Sequence, residues 1–529
     1  MLTKKLNKIF EYFIYILPLA LFFLYYPVIS LGANESMNFE FSLSLIWLIL
    51  FDILVFVMLI HSKKLFFDLR KGWVWLLFPV WLTLTIVWSL NSVRGILTVG
   101  ILWLIYFAIY GMYRFRELFK GAFLKRFLKW FFVSTVLVCL WCFLQCILDL
   151  IGISQDYSLM CDGCTYHMFG FPHPNGFAIE PQFMGNLLIA PTIVAAWLVA
   201  KKPTNNNLKR EHSRGDNFHN GSVGAHTKLQ FCGSLRDRCK NYVGSCSLSS
   251  RLLLVCFFVS MTTLFLTFSR GAIYAFVVAM LFMSAFLVVQ GIIEWKKILK
   301  RVGMVWLLVV LSFLFTLNLQ GIFAEVSPTN DTYFSGIAKT INHLSLGIID
   351  FRGGETEVKL EEEHVEKPVE NFEEKTGKEE AVFNGYVAES TDTRVRLTGA
   401  AVEVWSKDLK TGLFGVGLGG AGWALYNNGL SPAPKEIVQN EYASLLLETG
   451  IVGVSLFLLT LGLAIRLVLK NKDGLVLTLL VAYGVTLCFF SGLPNALQIY
   501  LMTGVIYFLF GNLKNHKKGR SSSARKGVS

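Results

Sequence analysis

The chain has 529 residues, of which 54% are hydrophobic and only 16% are charged, whereas charged residues make up roughly 25% of an ordinary soluble domain. Its apolar residues come in blocks of about 17 to 25, the length of a helix that crosses the hydrocarbon core of a membrane. This composition excludes a water-soluble enzyme and predicts an all-α, polytopic integral membrane protein. We attribute the formal net charge of +13 to the connections between membrane helices, and we expect a membrane partner and no nucleic acid.

Twelve apolar segments predict about twelve transmembrane helices. Helices 1 to 6 fall in residues 1–200, helices 7 to 9 in 251–324 and helices 10 to 12 in 441–512. The segments lie near residues 10–30, 42–60, 73–90, 96–113, 128–151, 177–200, 252–268, 271–290, 302–324, 443–469, 475–490 and 496–511. Lysines precede the first segment but no small-residue cleavage site follows it, so we expect it to be a retained span.

Lysine and arginine concentrate in alternate connections, and connections rich in these residues face the cytoplasm. Such clusters occupy residues 63–71, 114–129, 296–301 and 470–472. Both ends of the chain are basic as well, including the tail 513–529. The pattern predicts a multi-pass protein of the cytoplasmic (inner) membrane with both termini cytoplasmic, which requires an even number of spans.

Two connections are too long to be simple turns. Residues 201–250 are basic and polar and are predicted to form a disordered cytoplasmic loop. Histidines and cysteines recur there every seven residues, which is not the spacing of a compact metal site. They are His212, His219 and His226, followed by Cys232, Cys239 and Cys246. Residues 325–440 are predicted to form a large extracytoplasmic loop between helices 9 and 10, with a disordered acidic insertion at about 355–385.

The sequence Phe268-Ser269-Arg270-Gly271-Ala272 interrupts a long apolar stretch. About 38 residues in one helix would span about 57 Å, nearly twice the thickness of the membrane core. The chain must therefore turn near Arg270, which places this guanidinium at the outer end of a helical hairpin where it can reach a phosphate. An arginine that reaches up to lipid headgroups is the alternative.

A second signal lies in the outer loop, where basic residues precede a predicted helix and a glycine-rich turn. Arg394 and Arg396 begin this stretch, and Gly415-Val416-Gly417-Leu418-Gly419-Gly420 ends it. Three of these glycines have the spacing of a dinucleotide-binding fingerprint, but no βαβ unit surrounds them. We therefore expect no cofactor.

A third signal is Gln439-Asn440-Glu441-Tyr442, which leads into a span that contains Glu448. An ionisable group at the membrane boundary indicates a functional site. A structural hydrogen bond to neighbouring helices is the alternative reading of Glu448.

The fourth signal precedes helix 6, where Cys161, Cys164, His167 and His173 lie close together in sequence. These side chains could ligate zinc, although their spacing is shorter than in usual structural sites. An external disulfide between the two cysteines, or four free residues, are the alternatives, and we expect no metal. Glu180 follows next to a proline, and it either faces a cavity or lies at the lipid interface.

Taken in this order, the segments resemble the O-antigen ligase and polymerase superfamily of bacterial membrane glycosyltransferases. The resemblance rests on four segments. They are residues 172–188, residues 268–272, the segment that begins with Arg396-Leu397 and ends with residues 413–420, and residues 439–453. Each segment is short, but four in the right order on twelve predicted spans with a large outer loop make the resemblance specific.

The resemblance implies a metal-independent, inverting enzyme at the outer face of the membrane. Such an enzyme takes a glycan from an undecaprenyl diphosphate carrier and passes it to a glycan, lipid or protein acceptor in surface polysaccharide biosynthesis. By motif, Arg270 and Arg396 bind the diphosphate, with Arg394 as the alternative to Arg396. Fixed arginines there stabilise the charge that develops on the leaving group.

One position departs from the family pattern, because family ligases usually carry His where this chain has Gln439. Glutamine cannot act as a general base, so either Gln439 only orients the acceptor, or a carboxylate such as Glu180, Glu441 or Glu448 removes the proton, or deprotonation is unassisted. This departure favours a repeat-unit polymerase over a ligase. A flippase or exporter of lipid-linked oligosaccharides is the alternative from another class, and the concentration of unusual residues at the outer face argues against it.

Overall fold

The structure is a computed structural model that describes most of the predicted helical segments. The described residues are 2–23, 27–31, 39–62, 73–119, 121–151, 153, 173–178, 180–201, 250–290, 295–326, 332–345, 349, 379–434, 437–471, 473–489 and 501–507. All but the two end residues of the predicted cytoplasmic loop 201–250, and most of the predicted acidic insertion 355–385, lie outside these residues, so both stay predictions.

The first part of the chain forms helices and one short β pair. The helices are α1 (Leu2–Phe22), α2 (Leu43–His61), α3 (Val74–Thr85), α4 (Ser92–Arg114), α5 (Gly121–Leu150) and α6 (Pro181–Lys201), with short 3-10 turns at Ile86–Trp88 and Arg116–Leu118. Strands β1 (Pro27–Leu31) and β2 (Phe39–Ser42) pair antiparallel, with Ser30 opposite Glu40. The all-α prediction therefore holds for the helical bundle but omitted this pair, whose second strand alternates aromatic and polar residues with the period of a β-strand.

The second part of the chain continues the bundle and adds helices outside it. These are α7 (Ser250–Leu266), α8 (Arg270–Gln290), α9 (Trp295–Val326), α10 (Tyr333–Leu344), α11 (Glu379–Trp405), α12 (Leu409–Phe414), α13 (Ala421–Asn427), α14 (Glu441–Asn471) and α15 (Gly474–Thr486), and residues 501–507 are helical too. The predicted loop 325–440 thus contains four helices, α10 to α13, in the part that the structure describes.

Seven of the described helices are long and apolar enough to cross a membrane, namely α2, α4, α5, α6, α8, α9 and α14. Helices α3, α7 and α15 are apolar but shorter. A described helix overlaps each of the twelve predicted segments. The number of spans and the side on which each loop lies stay predictions.

Helix α6 lies at the centre of the bundle. Its most apolar stretch of 18 residues is completely buried, and it packs against α7, α8, α9 and α15. It can be buried on every side because apolar residues surround its axis, and small residues such as Gly185, Ala195 and Ala196 let the neighbouring helices approach closely. The start of α6 is therefore a fixed point for any site built around it.

Candidate functional site

A sharp turn joins α7 to α8 and places Arg270 at the first position of α8. Phe268, in the turn, has a φ of 50°, a left-handed conformation that bulky residues rarely adopt. The hydroxyl of Thr267 donates a 2.7 Å hydrogen bond to the carbonyl of Leu264 and closes the end of α7. The chain reverses where the length of the apolar stretch predicts, and Arg270 is buried there.

Two glycines let neighbouring segments close on this turn from two sides. A Cβ atom at Gly185 of α6 would lie 2.7 Å from the Cβ of Ser269, and one at Gly271 would lie 2.6 Å from the Cβ of Phe489. Both distances are far below a van der Waals contact, so a larger residue at either position would push the segments apart. The turn that carries Arg270 is therefore held in a packed environment.

Two histidines from other parts of the chain flank Phe268. The ring of His173 stacks on the Phe268 ring with the centroids 4.6 Å apart, and the ring of His343 meets it edge-on at 5.5 Å. Nε2 of His343 also lies 3.2 Å from the carbonyl oxygen of Phe268, which only accepts, so Nε2 is the donor. Burial, reinforced by the guanidinium of Arg270, lowers the pKa of His343 to about 3, and the ring is neutral at pH 7.

Helix α10, which supplies His343, turns its polar side inward. Lys339 and His343 lie one turn apart on the same face, and both are buried, as are Thr340 and Asn342. Phe334 of the same helix is 78% exposed. Helix α10 therefore directs Lys339 and His343 towards the interior of the protein and Phe334 away from it.

Arg394 of α11 lies beside the start of α6. Its Nη2 atom donates a 3.4 Å hydrogen bond to Oε1 of Gln182, and its charge acts on both Glu180 and His343. Burial raises the pKa of Glu180 above its usual value, and Arg394 opposes that shift. Because Arg270 also acts on His343, the charges of Arg270 and Arg394 both lie within electrostatic range of one histidine.

Arg396, the preferred diphosphate ligand in the sequence analysis, lies two positions further along α11 and is exposed. Residues two apart on a helix point to different sides, so α11 directs only one of its two arginines towards Gln182. The structure brings Arg394, the alternative named from the sequence, together with Arg270 and does not bring Arg396 there.

The glycine-rich turn 415–420 packs against α14 and involves Glu448. The amide of Gly417 donates a 2.9 Å hydrogen bond to the carbonyl of Glu448, and Oε1 of Glu448 accepts a 3.3 Å bond from the amide of Ala421. Arg94 of α4 is close enough to act on the same carboxylate. The contacts described for Glu448 are therefore with the turn and with α4, as expected for a structural carboxylate.

Gln439 lies just before α14, and its Oε1 atom is buried with no hydrogen-bond partner among the described residues. The next residue, Asn440, caps α14 by accepting a 3.1 Å bond from the amide of Ala443. Glu441 is buried, and its amide donates to the carbonyl of Leu487. A buried amide oxygen suits a hydroxyl or N–H donor, so Gln439 can orient a group without taking its proton.

The segment that leads to Glu180 is anchored on α5. Nε2 of Gln145 donates 3.0 Å hydrogen bonds to Oδ1 of Asn175 and to the carbonyl of Gly176, and the amide of Gly176 donates back to Oε1 of Gln145 at 2.8 Å. The backbone turns at Gly176 with a φ of 64°, which glycine adopts readily. This anchor sets the position of His173 against Phe268 and of Glu180 at the start of α6.

The predicted zinc or disulfide residues Cys161, Cys164 and His167 lie outside the described residues. His173, the fourth member of that set, packs on Phe268. Within the part of the chain that the structure describes, no group of three or more His, Cys, Asp or Glu side chains could hold a metal ion.

Comparison with known families identifies the segment that surrounds the two arginines. The family model described as O-Antigen ligase matches residues 255–458. Residues 255–458, which we call the O-antigen ligase domain after this match, are similar to that family. A search of curated proteins finds no match. The resemblance to the O-antigen ligase and polymerase superfamily is confirmed, and together with the seven helices able to cross a membrane it indicates an integral membrane protein with a glycosyltransferase-type domain.

The O-antigen ligase domain supplies most of the site but not all of it. Arg270, His343 and Arg394 lie within residues 255–458, whereas Glu180, which immediately precedes α6, and Gln182, in its first turn, come before the matched segment. The site is therefore formed where the domain packs on the central helix of the bundle.

Helix α10 and its buried residues Lys339 and His343 lie in the region 325–440, which the sequence predicts to be a loop. A signal was present in the sequence. Thr332 caps the helix by accepting a hydrogen bond from the amide of Ser335, and apolar residues follow at helical spacing. They are Ile337, Ile341 and Leu344.

Proposed function

We propose that the chain is a membrane glycosyltransferase of the O-antigen ligase and polymerase type. It transfers or polymerises undecaprenyl diphosphate-linked oligosaccharide at the outer face of the cytoplasmic membrane. The observation that carries this proposal is the placement of Arg270 and Arg394 around His343 inside the O-antigen ligase domain. Two neighbouring guanidinium groups suit a diphosphate, because its oxygens accept hydrogen bonds in the fork geometry of arginine.

The proposed reaction breaks the bond between the anomeric carbon of the donor sugar and the diphosphate oxygen. A bond forms from the same carbon to the acceptor oxygen, and the electron pair of the broken bond leaves with undecaprenyl diphosphate. Arg270 and Arg394 stabilise the charge that develops on this leaving group, more strongly in the transition state than in the bound donor. Direct attack from the opposite face inverts the anomeric carbon, and the arginines take the place of a metal ion.

Glu180 is our candidate for the base that receives the acceptor proton. It lies beside Arg394, and burial raises its pKa towards the range in which a carboxylate accepts protons efficiently near neutral pH. Gln439 orients the acceptor, since an amide cannot take a proton. Glu448 is engaged with the glycine-rich turn, and Glu441 at the start of α14 is the second candidate.

We favour a repeat-unit polymerase over a ligase, with a growing glycan as the acceptor. The support for this choice is Gln439, because family ligases usually have His at this position and family polymerases vary more. A ligase would instead transfer the glycan to a lipid or a protein.

The proposal is tested in membranes or detergent with a synthetic undecaprenyl diphosphate oligosaccharide, without ATP or added metal. Products are resolved by length on a gel. A ladder of products is expected from a polymerase, whereas one transfer that requires an added lipid or protein acceptor identifies a ligase.

The control for this assay is Arg270→Ala, which should insert in the membrane and form no product. If the unaltered protein transfers no glycan but moves labelled carrier between the leaflets of reconstituted vesicles, the enzyme proposal is wrong. The chain would then be a flippase or exporter.

A further inference from the structure

Helix α10 is hydrogen-bonded to both α9 and α8. The hydroxyl of Tyr333 donates a 2.7 Å hydrogen bond to Oδ1 of Asn318 on α9. The hydroxyl of Tyr274 on α8 donates a 2.5 Å bond to the carbonyl of Leu344. Helix α10 is therefore fixed relative to α8, the helix that begins with Arg270.

His343 extends from this fixed helix to the strained residue of the turn. Its Nε2 donates to the carbonyl of Phe268 at 3.2 Å, and Phe268 holds a left-handed φ of 50°. A bulky residue keeps such a conformation only where the surrounding structure enforces it. The carbonyl of Phe268 sets the direction in which the chain continues to Ser269 and Arg270, so a buried hydrogen bond to it also sets the orientation of Arg270.

A neutral ring is suited to this position. Arg270 and Arg394 both act on His343, and a third positive charge beside them would repel both guanidinium groups. A neutral imidazole with its proton on Nε2 donates to the Phe268 carbonyl without adding charge.

We propose that His343 is a positioning residue that acts through the Phe268 carbonyl and holds Arg270 in the orientation that binds a diphosphate. This inference deepens the proposed function and rests on it. If His343 acts through Arg270, removal of its Nε2 donor weakens diphosphate binding only in proteins that retain Arg270. A merely structural role would weaken binding equally with and without Arg270.

The test is a double-mutant cycle on the purified full-length chain in detergent, with inorganic pyrophosphate as the probe and its Kd as the readout. The variants are Arg270→Ala, His343→Phe and the combination of the two. His343→Phe keeps an aromatic ring against Phe268 and removes the donor, whereas His343→Gln keeps an N–H donor. Phe334→Ala on the exposed side of α10 is the matched control.

We expect His343→Phe to weaken pyrophosphate binding about tenfold, the effect of one lost hydrogen bond to a constrained group. The same substitution should cause no further loss in the Arg270→Ala background. His343→Gln should return the Kd to within about threefold of the unaltered protein, and Phe334→Ala should leave it unchanged.

The inference would be overturned if His343→Phe lowered the affinity for pyrophosphate equally with and without Arg270, or in neither case. The proposed function would then remain in place. If Arg270→Ala binds pyrophosphate as well as the unaltered protein, the proposed diphosphate site is wrong and the inference is wrong with it.

A second variant keeps the test decisive if His343→Phe does not fold. Tyr274→Phe removes the hydroxyl that fastens α10 to α8 and leaves His343 in place. We expect this substitution to weaken pyrophosphate binding about threefold. In the Arg270→Ala background it should have no effect. An unchanged Kd for Tyr274→Phe would overturn the inference.

Discussion

Nη2 of Arg394 and Oε1 of Gln182 lie 3.4 Å apart although 212 positions separate the two residues in the chain. Gln182 belongs to the first turn of α6, the buried central helix of the bundle. The contact therefore joins α11 to the buried central helix through one pair of side chains. Arg394, which comes from the region predicted to be a loop, thus contacts the helical bundle.

Substitution of the two arginines of α11 should give unequal results. Arg394→Ala should lower the rate of transfer by about 100-fold or more, because removal of one group that stabilises the leaving charge has that effect. Arg396→Ala should stay within about threefold, since substitutions at exposed positions have small effects. The measurement is the initial rate with the synthetic donor, at equal amounts of protein in the membrane.

Arg270→Ala serves as the reference for this comparison, because Arg270 is buried and its charge also acts on His343. It should lose as much activity as Arg394→Ala. Loss of activity in Arg396→Ala with a normal rate in Arg394→Ala would show that the donor is bound by the residue that the sequence motif preferred.

Glu180→Gln should remove the acid limb of the pH–rate profile. A base must be deprotonated to act, and burial raises the pKa of Glu180 above 4.5. The rate of the unaltered protein should therefore rise with pH through that pKa and level off above it. Glu180→Gln should be about 100-fold slower at pH 8 and independent of pH, as measured by kcat/KM between pH 5 and pH 9.

Glu403→Gln provides the control, because Glu403 is an exposed carboxylate on α11. Its profile should match that of the unaltered protein. A Glu180→Gln variant with an unchanged acid limb would assign the proton transfer to Glu441 or leave the attack unassisted.

The break in α14 at Gly450 requires a glycine. Its φ of 65° and ψ of −174° are not helical, and an added Cβ would collide with the carbonyl group of Leu413. Gly450→Ala should therefore destabilise the protein by about 3 kcal/mol or more, and it should displace the neighbouring glycine-rich turn.

Gly462→Ala is the control. Gly462 lies in the same helix, with no described atom within 4 Å of the added Cβ, so this variant should have a melting temperature at or above that of the unaltered protein. Equal melting temperatures for the two variants would contradict the close approach at Gly450.

The turn at Arg270 could be predicted because it follows from one length, the thickness of the membrane. Which of Arg394 and Arg396 faces Gln182 could not be predicted, since it depends on the rotation of α11 about its axis where it packs on α14. Helix α10 was missed because its polar side faces inward, so its residues read as a solvated loop. The role of Glu448 depends on the amide of Ala421, a contact between segments that no local pattern specifies.

Burial of a neutral His343 should make the protein sensitive to mild acid. In the unfolded chain a histidine takes up a proton near pH 6.5, whereas burial and Arg270 lower the pKa in the folded protein to about 3. Between these two values the unfolded chain binds a proton that the folded chain does not, so stability is lost as the pH falls through this window. At pH 5 the free energy of unfolding is about 2 kcal/mol lower than at pH 7. His343→Gln has no such proton, so its melting temperature should fall less between pH 7 and pH 5.

His61 on α2 separates this effect from a general effect of histidine loss, because its side chain is exposed. His61→Gln should lose as much stability between pH 7 and pH 5 as the unaltered protein, since substitutions at exposed positions have small effects. If the melting temperature of His343→Gln falls as much between pH 7 and pH 5 as that of the unaltered protein, His343 is protonated in the folded protein. A charged ring beside Arg270 and Arg394 would repel both guanidinium groups, and the orientation of Arg270 by a neutral donor would then have no physical basis.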